Sequence, residues 1–178
     1  MKISVHDIRD VPQTVGFAGE IDELNGLLRH GVPDYVVTQP LGVVVSYHRA
    51  GMDVFVEGEL QAQLRGTCSR CATDYPFRLV RDFSMVLAPA SELGAETGER
   101  RLSADDLALS YYRGDEIDLA PLVHEQLILA LPTRPLCVPG CKGLCPQCGA
   151  SRNDAECGCV SHSEDPRLAV FRTLKVGG

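Results

Sequence analysis

Eight cysteines are the residues of this chain whose type and spacing could do chemistry. Six of them lie in one stretch, CVPGCKGLCPQCGASRNDAECGC, which runs from Cys137 to Cys159 with the spacing C-x3-C-x3-C-x2-C-x8-C-x-C. The other two, Cys68 and Cys71, form a C-x2-C pair far upstream. Such cysteines could form disulfides, bind metal ions or carry out redox chemistry.

Metal binding explains these cysteines better than disulfides do. The N-terminal sequence is broken by charges and has no apolar run, so we expect no secretory signal, a cytoplasmic location and a reducing environment. The two sulfurs of a C-x2-C pair reach one tetrahedral ion from a tight turn, with Zn–S near ~2.3 Å. Gly143, Pro146 and Gly149 stand beside Cys145 and Cys148, as in a zinc knuckle. The sequence therefore predicts one or two zinc ions.

The distribution of ligands among the eight cysteines stays open at this point. In one arrangement two sites form. The first consists of Cys145, Cys148, Cys157 and Cys159, and the second of Cys68, Cys71, Cys137 and Cys141. The second site would clamp the upstream pair to the end of a long helix. In the other arrangement a single zinc ion takes four of the six clustered cysteines and leaves the rest free. His162 could replace a thiolate, although a solvated histidine is the commoner case.

The sequence contains no recognisable enzyme active site. Catalytic zinc keeps an open coordination position and usually binds histidine or carboxylate, whereas four-cysteine sites are closed. Neither H-E-x-x-H nor a phosphate-loop spacing is present. Cys68 and Cys71 could be a redox pair with a thiol pKa lowered by Arg70, but such a motif is expected at a helix N-terminus near a βαβ unit. We expect a non-enzymatic protein, with a thiol-based redox or metal-responsive protein as the alternative.

The charge of the chain is acidic but uneven. The 178 residues carry a net charge of −7, which argues against indiscriminate binding to nucleic acid. Residues 133–178 hold six bases and four acids. Any contact with RNA or an acidic partner is therefore expected there, and solvated surface charge is the simpler alternative; the candidate residues are Lys142, Arg152, Arg167, Arg172 and Lys175. No apolar run approaches the ~18 residues that a membrane span needs.

The elements that must position the cysteines are mainly strands, predicted at 14–20, 41–48, 52–66, 75–88 and 107–112. Arg49–Gly51 is the expected hairpin turn, and the upstream cysteine pair falls at the turn between the two longest strands. Helices are predicted at 22–30, with Asp22 as N-cap, and from Asp118 to Leu131 before Pro132, with an apolar face wide enough to pack on two sides.

These elements predict an α+β fold, in which an antiparallel β-sheet or partial barrel with a few helices precedes a C-terminal cysteine-rich zinc-knuckle segment. We expect a β-rich core over 1–132, which includes the packing helix 118–131. The remaining 133–178 would form the zinc-binding segment and a C-terminal helix that begins near Asp165, packed on the core as one domain. An exposed loop is expected from Pro89 to about Arg101.

The order of motifs in the chain resembles the YceD-like family of large ribosomal RNA subunit accumulation proteins. The resemblance rests on GTCSRCATDYPF, DEIDLAPLVHEQLILALPTRPLC, CKGLCPQCGASRN, the final C-x-C and DPRLAVFRTL, and covers about residues 40–175. Cys68 and Cys71 match the family's strand-turn pair, and Ala150–Asn153 stands where the family often has A-N-L-N. The other six cysteines match the C-terminal set of the family's metal-type members: Cys137, Cys141, Cys145, Cys148, Cys157 and Cys159.

The resemblance implies a cytoplasmic protein of bacteria or organelles that supports synthesis, processing or accumulation of large-subunit (23S) rRNA. The implied partners are the large-subunit rRNA precursor or a ribosomal protein, with no membrane and no small-molecule substrate. A protein–protein adaptor without RNA contact is an alternative that the acidic charge favours.

Overall fold

The computed structural model describes residues 1–90 and 109–159 of the chain. The expected loop beyond residue 90 and the C-terminal helix lie outside the described residues, as do His162, Arg167, Arg172 and Lys175. Within these ranges the predicted α+β class is confirmed. The elements are β1 (Lys2–Ser4), β2 (Gln13–Gly19), α1 (Ile21–Gly31), β3 (Tyr35–Val37), β4 (Leu41–Ala50), β5 (Asp53–Thr67), β6 (Asp74–Pro89), β7 (Leu109–Tyr112), β8 (Glu116–Asp118) and α2 (Leu119–Ala130).

One six-stranded sheet carries most of the structure, in the order β2-β4-β5-β6-β7, with β3 paired to β5. All of its pairings are antiparallel except that of β6 with β7, which is parallel. The expected antiparallel sheet is thus confirmed with a parallel strand at one end. The short strands β1 and β8 form a separate antiparallel pair, which the sequence did not predict.

The two longest strands, β5 and β6, set the position of the upstream cysteines. They pair without interruption from Val54 opposite Leu87 to Thr67 opposite Asp74. The pairing leaves only residues 68–73 for the turn at its end, as the sequence predicts. The hairpin between β4 and β5 turns at Gly51 and Met52, one position later than expected, because Ala50 still pairs with Asp53.

The alternating pattern of β5 divides the sheet into a covered face and an open face. Residues of even number in this strand, such as Val56 and Leu60, are buried except for the half-buried Gly58, whereas Glu57 and Gln61 on the other side are exposed. Both helices cover the buried face, and their buried residues join one apolar core with the sheet: Leu24, Leu28, Leu119, Val123 and Leu127. Each fully buried aliphatic side chain contributes about 1.5–3 kcal/mol to folding.

The two helices begin in different ways. The carboxylate of Asp118 accepts a hydrogen bond from the backbone N–H of Ala120 at 3.1 Å, which confirms the predicted N-cap of α2 and holds the pKa of Asp118 below its usual range. Helix α1 begins after Glu20 without any side-chain cap, so the prediction of Asp22 as N-cap is wrong. Its asparagine, Asn25, instead exchanges two hydrogen bonds with the backbone of Val37 in β3.

The expectation that α2 packs on two sides is wrong for Leu129, whose side chain is 70% exposed. Only the stripe of Leu119, Val123 and Leu127 is buried, since the helix lies on the edge of the core with solvent on its far side. No helix in the described part of the chain is both long and apolar enough to cross a membrane.

Gly58 in β5 lies so close to its neighbours in the sheet that we expect no side chain to fit there. A Cβ atom at this position would lie 2.5 Å from Cζ of Phe83 and 2.9 Å from the backbone oxygen of Val44, which cannot move aside. We expect Gly58→Ala to lower the free energy of unfolding by about 1–3 kcal/mol in urea titrations. Gly26→Ala is the matched control, because nothing lies within 4 Å of its Cβ position, and it should stabilise helix α1 by about 1 kcal/mol. Equal stabilities of the two variants would contradict this account.

Candidate metal centre

The turn between β5 and β6 is a compact knuckle that presents two thiols. The backbone N–H of Ala72 donates to the carbonyl of Cys68 at 2.9 Å, and the N–H of Cys68 donates to the carbonyl of Thr73 at 3.0 Å. Ala72 has a left-handed backbone with φ of 56°, an unusual conformation for a residue with a Cβ atom. The turn places the side chains of Cys68 and Cys71 on the same side, where both are buried.

The chain that leaves α2 is tied to this knuckle by hydrogen bonds. The hydroxyl of Tyr35 donates to the carbonyl of Pro132 at 3.1 Å. The backbone N–H and the hydroxyl of Ser69 both donate to the carbonyl of Pro135, at 2.9 and 3.0 Å. The guanidinium of Arg70 then donates to the carbonyl of Cys141 at 2.8 Å. These contacts carry the first two cysteines of the C-terminal stretch to the upstream pair.

The first tetrad, which we define as Cys68, Cys71, Cys137 and Cys141, has the geometry of a tetrahedral metal site. Its four Sγ atoms lie within 4.8 Å of one another. The Sγ–Sγ distances are 3.8 Å between Cys68 and Cys141 and 3.6 Å between Cys71 and Cys137. A tetrahedral ion with metal–sulfur bonds of ~2.3 Å separates its ligands by about 3.8 Å, whereas a disulfide needs about 2.05 Å. The first tetrad could therefore hold a metal ion.

The second tetrad, Cys145, Cys148, Cys157 and Cys159, is local in sequence and more exposed. Its four Sγ atoms also lie within 4.8 Å of one another, while the side chains of Cys148 and Cys159 reach the surface. Its knuckle repeats the geometry of the first, because the N–H of Gly149 donates to the carbonyl of Cys145 at 2.9 Å and Gly149 has φ of 72°. Ala72 occupies the equivalent left-handed position in the first knuckle.

Of the two arrangements that the sequence left open, the structure groups the cysteines as in the two-site one. All eight cysteines lie in the described part of the chain, and each is a free thiol. That any of them binds a metal stays a prediction.

Backbone dipoles prepare one thiol of each tetrad for ionisation. Burial acts to raise the pKa of Cys68, but backbone N–H groups of Cys137, Arg70 and Cys71 outweigh it and lower that pKa to about 6. The backbone N–H groups of Cys148 and Gln147 lower the pKa of Cys145 to about 6. Such hydrogen bonds stabilise a thiolate, the form that binds metal.

Other thiols of the two tetrads are held protonated in the absence of a cation. Burial raises the pKa of Cys137 to about 12. A hydrogen bond with Cys148, followed by burial, raises the pKa of Cys159 to about 12. Four thiolates within one small space repel one another, so all four can ionise together only around a cation.

Asn153 joins the two tetrads. Its amide nitrogen lies 3.3 Å from Sγ of Cys141 in the first tetrad, and its amide oxygen accepts from the backbone N–H of Lys142 at 2.7 Å. Asn153 itself lies in the loop between Cys148 and Cys157 of the second tetrad. The backbone N–H of Arg152 also donates to the carbonyl of Gly143 at 2.9 Å. The loop of one tetrad therefore supports a ligand of the other.

Gly143 allows the two knuckles to meet. Its φ of 74° is left-handed, and a Cβ atom there would lie 3.0 Å from the backbone oxygen of Arg70. A side chain would separate the C-terminal segment from the turn of β5 and β6.

The basic candidates that the structure describes, Lys142 and Arg152, are both exposed and lie on this junction. Neither side chain forms an ion pair within the described residues. Sequence reasoning missed the role of Asn153, whose only signal was its place in the stretch that corresponds to A-N-L-N.

The contact of Asn153 with Cys141 predicts a loss of metal affinity in Asn153→Asp. The substitution keeps the oxygen that accepts from Lys142 but replaces the N–H donor to sulfur with a carboxylate oxygen, which repels the thiolate. We expect the affinity of one of the two sites for Zn²⁺ to fall about 10–100-fold in competition with a chromophoric chelator. Asp154→Asn, at the exposed neighbouring position, is the control and should leave both affinities unchanged. Identical titrations for the two variants would refute the supporting role of Asn153.

Comparison with known proteins gives relatives in bacteria and plants. An uncharacterized protein of Mycobacterium tuberculosis is 32% identical over 116 residues, which cover 65% of this chain and 53% of that protein. The chloroplastic large ribosomal RNA subunit accumulation protein YCED homolog 1 of Arabidopsis thaliana is 25% identical over 164 residues, which cover 81% of this chain and 51% of the relative. Its namesake in Zea mays is 27% identical over 158 residues, or 75% of this chain and 54% of the relative.

The chain thus spans about half the length of the curated relatives that it matches. No solved structure matches it. The family model of YceD, described as the large ribosomal RNA subunit accumulation protein, matches residues 56–175, a range that includes all eight cysteines, and the chain belongs to this YceD family.

Proposed function

We propose that this chain is a non-enzymatic ribosome-biogenesis factor that supports the accumulation of large-subunit (23S) rRNA, with structural zinc in both tetrads. Its membership of the YceD family and the names of the plant relatives support the biological role. The observation that carries the molecular part is the convergence of four sulfurs from distant segments in the first tetrad. On this proposal the protein acts in the cytoplasm.

A structural role for zinc follows from the chemistry of the donors. Each tetrad offers four sulfur atoms, and a tetrahedral ion bound by four thiolates has no position left for water or substrate. Zinc would supply the positive charge that lets all four thiols ionise. The ion would then fix the segment after α2 to the turn of β5 and β6.

The redox alternative draws its support from the low pKa of Cys68. Three features favour a structural site. Cys68 is buried, its knuckle joins two strands instead of opening a helix, and its sulfur lies 3.8 Å from that of Cys141, a residue outside the C-x2-C pair. The metal content of the purified chain separates the two proposals.

The surface that the tetrads hold in place is the proposed contact with rRNA or a ribosomal protein. Lys142 and Arg152 are exposed at the junction of the two knuckles, and we propose Arg167, Arg172 and Lys175 as further contacts with the same partner. We propose that the core over 1–132 and the segment over 133–178 act as one domain, because hydrogen bonds from Ser69 and Arg70 cross the boundary between them.

If both tetrads hold zinc, we expect elemental analysis to find two zinc ions per chain after anaerobic purification. Cys71→Ser and Cys148→Ser should each lose one ion, since each removes one ligand of one site. Cys71→Ser should lower the free energy of unfolding by several kcal/mol, and by more than Cys148→Ser does, because the first tetrad connects segments 66 residues apart whereas the second is local. A metal-free chain with eight titratable thiols or with disulfides would support the redox alternative instead.

The biological role predicts a defect in cells that lack the gene. We expect a lower ratio of mature large-subunit to small-subunit rRNA, with precursors retained, on northern blots. The wild-type gene should restore the ratio, and Lys142→Glu with Arg152→Glu should restore it poorly although that variant keeps two zinc ions. Arg29→Glu with Arg113→Glu changes the net charge equally at exposed positions elsewhere and should restore the ratio fully. An unchanged rRNA profile in the deletion strain would overturn the proposed role.

A further inference from the structure

The open face of the sheet carries a groove whose lining includes no residue of either tetrad or of the basic junction. It lies on the side of β4, β5 and β6 that points away from both helices, and it has a volume of about 530 Å³. Its lining includes three carboxylates and an exposed valine, together with small hydroxyl groups: Glu57, Glu59, Asp82, Val44, Ser46 and Ser84.

The sheet places carboxylates against one another in this groove. Glu59 of β5 is directly opposite Asp82 of β6, and Glu57 lies two positions along β5 on the same face. Like charges directly opposite each other on paired strands destabilise a sheet. None of the ion pairs formed within the described residues involves these three carboxylates, and Glu59 accepts a hydrogen bond from the side-chain amide of Gln61. The arrangement therefore leaves a concentrated negative charge that a cationic ligand would neutralise.

Apolar side chains on the same face remain exposed. Val44, directly opposite Glu59, is 53% exposed, and Val80, opposite Gln61, is 49% exposed. Phe55, two residues before Glu57 on the same face of β5, is also exposed, and its ring stacks on that of His48 with the centroids 5.4 Å apart. A free aliphatic surface beside carboxylates suits lysine and arginine, whose charged ends pair with acids while their methylene stems cover apolar groups. The face of Phe55 offers the same cations a π surface.

We infer that this sheet face, defined by Val44, Phe55, Glu57, Glu59, Val80 and Asp82, binds an extended cationic segment of a partner protein. Lysine or arginine side chains of the segment pair with the three carboxylates, and its apolar side chains cover Val44 and Val80. RNA is disfavoured here because its phosphates would meet uncompensated carboxylates. The inference depends only on the charges and exposure of the sheet, so it holds whether or not the tetrads bind zinc.

The test uses the full chain and a defined probe. A fluorescein-labelled peptide of about a dozen residues, rich in lysine and arginine with a few leucines, is titrated with the protein and followed by fluorescence anisotropy. A peptide with glutamate at every basic position and an rRNA fragment serve as further probes. Binding of the cationic peptide should weaken as salt rises, since exposed charge pairs are screened.

The decisive variant combines Glu57→Gln, Glu59→Gln and Asp82→Asn. We expect it to weaken binding of the cationic peptide about tenfold or more and to raise the midpoint of thermal unfolding, because the like-charge pair is relieved. Asp10→Asn, Glu23→Gln and Glu125→Gln remove the same charge from exposed positions elsewhere and should leave peptide affinity within about twofold of wild type. Val44→Ser should weaken binding without any change in charge.

Three outcomes would overturn the inference. Equal losses of affinity in the two triple variants would mean that net charge alone attracts the peptide. Unchanged affinity in the groove variant would place the peptide on another surface. An rRNA fragment that binds wild type and is lost in the groove variant would make this face a nucleic-acid surface.

Discussion

The position of the whole cysteine-rich segment depends on one electrostatic constraint in the first tetrad. Four sulfurs share a space in which they all lie within 4.8 Å of one another, and they can be thiolates together only around a cation. Two of these sulfurs belong to a turn held by the longest strand pair of the sheet, and two follow α2. Hydrogen bonds from Ser69 and Arg70 bring the backbones together, but they cannot remove the repulsion between ionised sulfurs. The first tetrad joins the segment after α2 to the turn of β5 and β6, and this connection also determines where the second tetrad and the basic junction beside it lie.

The two faces of the sheet have different roles because successive side chains of a strand point to opposite faces. The covered face forms the core together with both helices, and β5 and β6 stay paired up to the knuckle at their end. The open face has no packing requirement, so its residues are free to carry the carboxylates and valines of the groove. Basic residues at the knuckle junction and acidic residues on the sheet therefore give one small chain two surfaces of opposite charge.

Much of this architecture could be predicted from the sequence, for reasons that are local. Strand β5 alternates apolar and polar residues from Glu59 to Arg65, and Asp118 with Pro132 marks both ends of α2. The spacing of the cysteines allowed the two-site arrangement but could not select it. The selection depends on a tertiary contact between the turn of β5 and β6 and the segment after α2, where Cys71 meets Cys137 across 66 residues of sequence. Asn153 was beyond sequence reasoning for the same reason, because its contact with Cys141 exists only once two loops meet. The cap of α1 was misjudged because the helix begins at Ile21, so Asp22 lies inside its first turn and the cap position belongs to Glu20.

The two halves of the first tetrad are far apart in the sequence, so its cysteines are synthesised at different times. A ribosome makes the chain from its N-terminus, so Cys68 and Cys71 emerge well before Cys137 and Cys141. During that interval the hairpin of β5 and β6 carries two thiols without the partners that would enclose a cation. The nascent hairpin is thus most open to oxidation, or to capture of an ion by too few ligands, before α2 has been made. The second tetrad has almost no such interval, because its four cysteines lie within fifteen consecutive residues.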